Sequence, residues 1–414
     1  MQENFYSTST PGIKGRIKQR IADFNVKEIG LNGKVCGITL DEKKLSEFMP
    51  LIVPENPEKK DYLILTMEKF NLDLNEAIKR IARFNYLSHK RISYAGMKDK
   101  RAITSQKISF YRPDPERLEQ FKSKFVRLRE PEWSEKKIEI GDLNGNIFEI
   151  TVRDIELSEI ETKKRLSDCI AEMKEGIANY FGEQRFGGVR QVTHLVGKEF
   201  VRGNFEGAVM LYLTRTSERE EAQATIAREN LKTSGNFSRA VKEFPVKYSY
   251  ERAILNYLIK KPEDFIGAFR VLPKGLRYLF VHAFQAFLFN KVINERIKEG
   301  IGLKAVEGDV LIEGFPSAPL YGFETVFASG KAGEIEKKVL GEEGLSLKQF
   351  YVKDMKEMSS KGARKKIILI PKNLKLLEVK EDEFNEGKLK AIISFELNKG
   401  DYATTVLREL MKNE

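Results

Sequence analysis

The sequence predicts an α+β protein on three observations: strand-length apolar runs early in the chain, a helix-spaced middle, and a strand, turn and helix at the end. Residues 62–67 (YLILTM) form a short apolar run suited to a buried strand. Asp73 and Glu76 then have capping-box spacing, and Ala77, Ile78, Ile81 and Ala82 mark one helical face ending near Phe84. Residues 107–110 predict another strand, and Pro113, Pro115 and Pro131 punctuate the segment after it. From Ile147 to Val152 the alternation is clear, with Phe148, Ile150 and Val152 facing one way. Residues 163–180 have helical spacing and lead into the Gly- and Arg-rich FGEQRFGGVRQ. Residues 217–239 are highly charged and fit a solvated helix followed by a loop. Residues 275–299 predict a helix whose aromatic residues (Tyr278, Phe280, Phe284, Phe287, Phe289) belong to the core. A basic loop at 359–366 precedes the apolar 367–370, and a strand at 391–397, a turn at Gly400 and a helix from Thr404 to about Met411 close the chain.

Composition narrows the function. The chain has 414 residues, 41% hydrophobic and 32% charged, enough for two or three globular domains. Its longest apolar stretch, 278–290, is interrupted by His282 and Gln285, well short of the ~20 apolar residues of a membrane helix. The N-terminus lacks an apolar run and with it a secretory signal, so a cytoplasmic protein is expected, with no membrane partner. Cys36 and Cys169 form no CxxC pair, and His89, His194 and His282 have no metal-ligand spacing, which argues against a disulfide framework and a zinc site. Neither GxxxxGK[ST] nor GxGxxG occurs, so no nucleotide cofactor and no metal is expected. The formal net charge of +11 fits a polyanionic partner, because neutralising phosphates releases counterions.

The densest chemical signal is residues 94–106, YAGMKDKRAITSQ. One carboxylate, Asp99, stands between Lys98 and Lys100, with Arg101 next and Lys90 and Arg91 upstream. Gly96 permits a tight or positive-φ backbone before it. Cations around a carboxylate favour its ionised, nucleophilic form and gather phosphate. The same residues also read as a surface turn whose aspartate balances its lysines.

The string AGMKDKRAITSQ closely resembles the catalytic motif of the tRNA pseudouridine synthase D (TruD) family, of form AGxKDKxAxTxQ. Other stretches resemble that family in the same order. They are Lys18 ahead of Asp23-Phe24, Val26 and Glu28; Gly145-Asn146-Ile147-Phe148; Asn179-Tyr180-Phe181-Gly182 with Gln184-Arg185-Phe186-Gly187; and Tyr402-Ala403-Thr404-Thr405 with Arg408-Glu409-Leu410. Ile21 and Ala22 stand where the family commonly has Pro-Glu. The resemblance spans essentially the whole chain and is thinnest from about Asn204 to Leu276.

That resemblance implies a catalytic domain built from both chain ends, 1–175 and 370–414: a mixed, mostly antiparallel sheet with flanking helices. A family-specific α/β domain, 176–369, would be inserted in it. It implies conversion of a uridine in tRNA to pseudouridine, typically at position 13 in the D arm, by a monomer without cofactor. Asp99 would be the nucleophile. Phe148 would lie beside the target uracil and Asn146 would orient the Asp99 loop or cap a turn. Lys18 would pair with Asp99 or hold a phosphate, and at least one of Lys98 and Lys100 would touch the RNA backbone. Arg185 and Arg190 suit bidentate phosphate contact or a helix end, and Lys361, Arg364, Lys365 and Lys366 a grip on RNA or a solvated loop. Two rival readings remain: a metal-dependent nuclease, which wants several convergent carboxylates, and a non-catalytic basic RNA-binding protein.

Overall fold

The strands of the chain's two ends join in one sheet. In the computed structural model, which describes residues 4–413, contacts divide the chain into two units. One comprises Ser7–Gly176 and the chain from Ile370 onward; the other comprises Ile177–Leu369 with the described N-terminal residues through Tyr6.

The first unit holds β1 (Phe24–Gly30), β2 (Tyr62–Phe70), β3 (Ile92–Tyr94), β4 (Ile103–Tyr111), β5 (Val126–Ser134) and β6 (Leu143–Ile155). Two C-terminal strands, Lys372–Glu381 and Leu389–Asn398, complete the sheet. Its order is Lys372–Glu381, Leu389–Asn398, β6, β1, β4, β2, β5, with β3 also on β4. Only the β1–β4 pairing is parallel. The sheet is therefore mixed and mostly antiparallel.

The local sequence explains most boundaries. Asp73 caps the helix Leu74–Phe84 through the N–H groups of Asn75 and Glu76, and the predicted face (Ala77, Ile78, Ile81, Ala82) packs on Leu63, Leu65 and Met67. β2 runs on to Phe70, three residues past the apolar run, because Glu68 accepts the Thr39 and Leu40 N–H groups and Lys69 reaches a loop carbonyl. Pro131, expected to break the chain, lies inside β5. It is tolerated because β5 is an edge strand and the register slips there, between the Ile64 and Thr66 pairings. The helix expected over 163–180 spans Glu159–Glu172 and ends before Gly176 at φ 95°, a conformation that favours glycine. It packs on the Lys372–Glu381 strand and on the terminal helix Ala403–Met411.

The second unit is mostly helical. Its centre is the helix Lys274–Lys298, which buries Phe280, Phe284 and Phe289 as its aromatic pattern predicts. The helix Thr193–Val201 crosses it closely: a Cβ on Gly197 would stand 2.1 Å from the Phe280 carbonyl oxygen. Two small antiparallel sheets flank these helices, Ala363–Lys366 with Phe315–Leu320 and Leu311–Ile312, and Ile177–Ala178 with Ile368–Leu369. The charged 217–239 stretch departs from a solvated helix. It forms Ala222–Ser234 and the start of Phe237–Glu243, and Arg228 is fully buried between Glu220 and Glu251. Charge alone reads as solvent-facing; here opposite charges from neighbouring segments meet inside. Likewise 363–366 is a strand, and only the residues before it form a loop.

Candidate active site

Asp99 lies in the irregular connection between β3 and β4. The chain leaves β3 at Tyr94 opposite Ile108, so residues 95–102 must double back along the first half of β4 to reach Ile103. That brings the loop over one sheet face, whose composition follows from register. Val26 pairs with Thr104 and with Phe148, Thr104 with Lys69, Phe148 with Phe395, and Glu28 with Asn146. Paired residues share a face and alternate residues return to it. Phe24, Glu28, Lys69, Gln106, Asn146, Phe148 and Phe395 therefore belong to one surface of the sheet.

Three side chains of that face hold the loop. Gln106 Nε2 donates to the Gly96 carbonyl at 3.0 Å. Glu28 Oε2 accepts from Lys98 Nζ at 2.6 Å, while its Oε1 accepts the Lys107 N–H at 3.0 Å. Lys69 Nζ donates to the carbonyl oxygen of Asp99 itself. Lys69 is fully buried, and desolvation lowers its ammonium from 10.5 to about 8 despite the opposing charges of Asp99 and Asp73.

The Asp99 carboxylate stays free of these contacts and meets Lys18 Nζ at 2.7 Å, with side chains 39% and 26% exposed. Lys18 has φ 58°, an uncommon conformation for a non-glycine residue, and its ammonium sits 3.9 Å from the centroid of the Phe24 ring. Arg101 Nη2 reaches the Gln19 carbonyl at 3.3 Å, a second tie between loop and N-terminal segment. Phe148 stacks on Phe395 at 5.4 Å and meets Phe24 edge-on at 6.2 Å. On the same face Thr104 Oγ1, Gln106 Oε1 and Asn146 Oδ1 are buried without a hydrogen-bond partner among the described residues. Three such orphans on one surface are uncommon and suit a ligand that donates hydrogen bonds.

Several expectations change. Lys98 does not face solvent: its side chain is 3% exposed and paired to Glu28, so it fixes the loop and is withdrawn as an RNA contact. Lys100 is exposed. Gly96 does not take a positive φ. Asn146 lies within β6 and caps no turn. The glycine before it is required by a close approach, since a Cβ on Gly145 would meet the Leu397 carbonyl oxygen at 2.1 Å. Arg185 belongs to the other unit, in the short turn Glu183–Phe186, with its guanidinium 5.8 Å from the Phe181 ring. Arg190 is turned inward to the Tyr212 carbonyl at 2.8 Å, and Arg364 binds Glu336 and Ser317. Lys366 pairs with Glu313 at 2.8 Å and Lys361 with Glu324 at 3.3 Å, while Lys365 lies 5.3 Å from the Phe181 ring.

Sequence reasoning missed Lys69. The signal was present: Leu63, Leu65, Met67 and Lys69 alternate on one face, and a lysine continuing an apolar face is seldom buried without a purpose. Among the described residues no three His, Cys, Asp or Glu side chains gather as a metal site, and no helix is long and apolar enough to cross a membrane.

The arrangement presents one carboxylate, backed by cations, over an aromatic surface with unused acceptors. Comparison with known proteins agrees with it. The family profile described as tRNA pseudouridine synthase D (TruD) matches residues 1–314 and 312–410. A "probable tRNA pseudouridine synthase D" of Methanosarcina acetivorans is 41% identical, covering 99% of this chain and 95% of the relative. One from Methanopyrus kandleri is 39% identical over 88% of this chain and 89% of its own. A crystal structure of a tRNA pseudouridine synthase D homologue from Methanosarcina mazei superposes with a TM-score of 0.81 at 40% identity, covering 99% of this chain and 96% of that one. With motifs, fold and site in agreement, the chain belongs to the tRNA pseudouridine synthase D family.

Proposed function

We propose that this protein isomerises a uridine of tRNA to pseudouridine, at position 13 of the D arm, with Asp99 as nucleophile. The observation that carries the reading is Asp99: a lone, half-exposed carboxylate whose own backbone is clamped while its oxygens face Lys18. The carboxylate attacks ribose C1′, or abstracts a ribose proton, and the bond from C1′ to uracil N1 breaks. The detached base turns and C5 bonds to C1′ as the carboxylate leaves C1′ (or returns the ribose proton); the C5 proton is then lost and N1 takes one up. Lys18 orients the Asp99 carboxylate. Phe148, backed by the buried Phe395, borders the base, where aromatic stacking contributes about 1–3 kcal/mol. Thr104, Gln106 and Asn146 offer acceptors to the uracil imide N–H. Flipping the nucleotide out costs a few kcal/mol, which favours a loosely stacked target.

Lys18 and Lys100 of this unit, and Arg185 of the other, contact RNA in this reading. Ser7–Gly176 with the chain from Ile370 onward forms the catalytic domain, and Ile177–Leu369 is the inserted domain that selects the target. The enzyme works as a cytoplasmic monomer. Isomerisation is redox-neutral, so the reaction asks for no electron carrier.

Incubation of a tRNA transcript with the protein, followed by carbodiimide labelling and primer extension, tests the assignment. A stop at position 13 supports it. A stop elsewhere moves the target, and none, with binding retained, favours the non-catalytic RNA-binding alternative.

A further inference from the structure

We propose that Lys69 is a positioning residue for the isomerisation, holding the Asp99 carboxylate in line by binding the main-chain carbonyl of the same residue; this rests on the isomerase reading above. Three observations carry it. Lys69 Nζ donates directly to the Asp99 carbonyl, so the contact is to the reacting residue's own backbone. The loop is also held at Gly96 by Gln106 and at Lys98 by Glu28, ahead of Asp99, and beyond it by Arg101 at the Gln19 carbonyl and by the Asn71 N–H at the Ala102 carbonyl, but none of these touches Asp99 itself. Without Lys69 the carbonyl of the nucleophile itself loses its hold, and the carboxylate can rotate off its path. Lys69 is fully buried and continues the face of Leu63, Leu65 and Met67 on its strand. A buried ammonium is costly, which makes its retention for packing alone a poor explanation.

The direction of titration agrees. The charged groups acting on Lys69 are Asp99, Asp73, Lys98 and Lys18, yet desolvation outweighs them and brings the ammonium to about 8. Losing the proton weakens the bond to the carbonyl, so the clamp should loosen as pH rises through that value.

The test is steady-state kinetics on a tRNA transcript for wild type, Asp99→Asn and Lys69→Met, with tRNA affinity and thermal melting measured alongside. Lys69→Met should lower kcat about 10²-fold, the effect of a slightly misplaced reacting group. KM and tRNA affinity should hardly change, and the melting temperature at pH 7 should not fall. The fall in wild-type kcat above pH 8 should be absent from the variant. A purely structural lysine gives a different pattern: lower melting temperature, with kcat per folded molecule unchanged. That pattern, or a folded Lys69→Met with wild-type kcat, overturns the proposal. Should Lys69→Met not fold, Lys69→Arg decides: its charge persists above pH 8, so its kcat must stay level where that of wild type falls, and a matching fall overturns the proposal. Absence of wild-type turnover sinks the isomerase reading and this one with it; wild-type turnover lost in Asp99→Asn but kept in Lys69→Met sinks this one alone.

Discussion

At the scale of single residues, the two lysines around Asp99 should behave differently. The Lys18–Asp99 pair is partly exposed, and such pairs contribute about 0–1 kcal/mol to stability. Lys18→Met should therefore melt near the wild-type temperature while its kcat falls, by about 10²-fold if Asp99 loses its orientation. Lys69 carries the opposite economy. Holding a lysine at about 8 instead of 10.5 costs on the order of 3 kcal/mol at neutral pH. The unfolded chain binds the proton more tightly, so this cost shrinks as pH climbs from about 8 to 10.5. Activity and this part of the stability should thus move in opposite directions in alkali, readable by comparing kcat with urea unfolding across that range. Asp99 stood out in the sequence as one carboxylate among cations, while the places of Lys18, Asn146 and Phe148 beside it came from the family resemblance. Lys69 and Phe395 were not legible, because each acquires its meaning only from strands distant in the chain.

At the scale of elements, the segment that carries Lys18 and Phe24 is held by one buried arginine. Arg153 on β6 binds Asp23 at 2.8 Å, Asp382 at 2.6 Å and Glu383 at 3.1 Å, joining the start of β1 to the turn between the C-terminal strands. Its side chain is 4% exposed, those of Asp23 and Asp382 2% and 0%. Arg153→Met would strand two buried carboxylates, and breaking such a pair costs about 3–5 kcal/mol. Urea unfolding should show the loss, and a change below about 1 kcal/mol would mean the network relaxes without it. Burial alone would raise the Asp382 carboxyl, but hydrogen bonds from Asn385, from the N–H groups of Asp154 and Phe384, and from Arg153 hold it below 3.8. Its contribution is therefore complete above that value and is lost as pH falls through the lowered one. Elements with one clear period, such as β6 and the aromatic helix, were legible in outline. The buried arginines were not, since a charge reads as solvent-facing until its partners are known: Arg153 and Arg228 each meet carboxylates from other segments.

At the scale of the whole molecule, the sheet itself could not be read from periodicity. Alternation marks strands but not neighbours, and β6 lies between β1 and Leu389–Asn398, which come from opposite ends of the chain. Only the family resemblance supplied that return. The charge of +11 makes a further prediction. If about 6–10 phosphates are contacted, tRNA affinity should drop about 10³–10⁵-fold between roughly 50 and 200 mM salt, and filter binding across that range would show it. A flat response would contradict a phosphate-gripping surface. The central claim is that Asp99 drives uridine isomerisation, and it is tested most directly by tritium release from tRNA labelled at uridine C5. Wild-type protein should release tritium with chelator present, and Asp99→Asn should bind the same tRNA and release none; undiminished release by Asp99→Asn, or none by wild type on tRNAs it binds, would contradict the account.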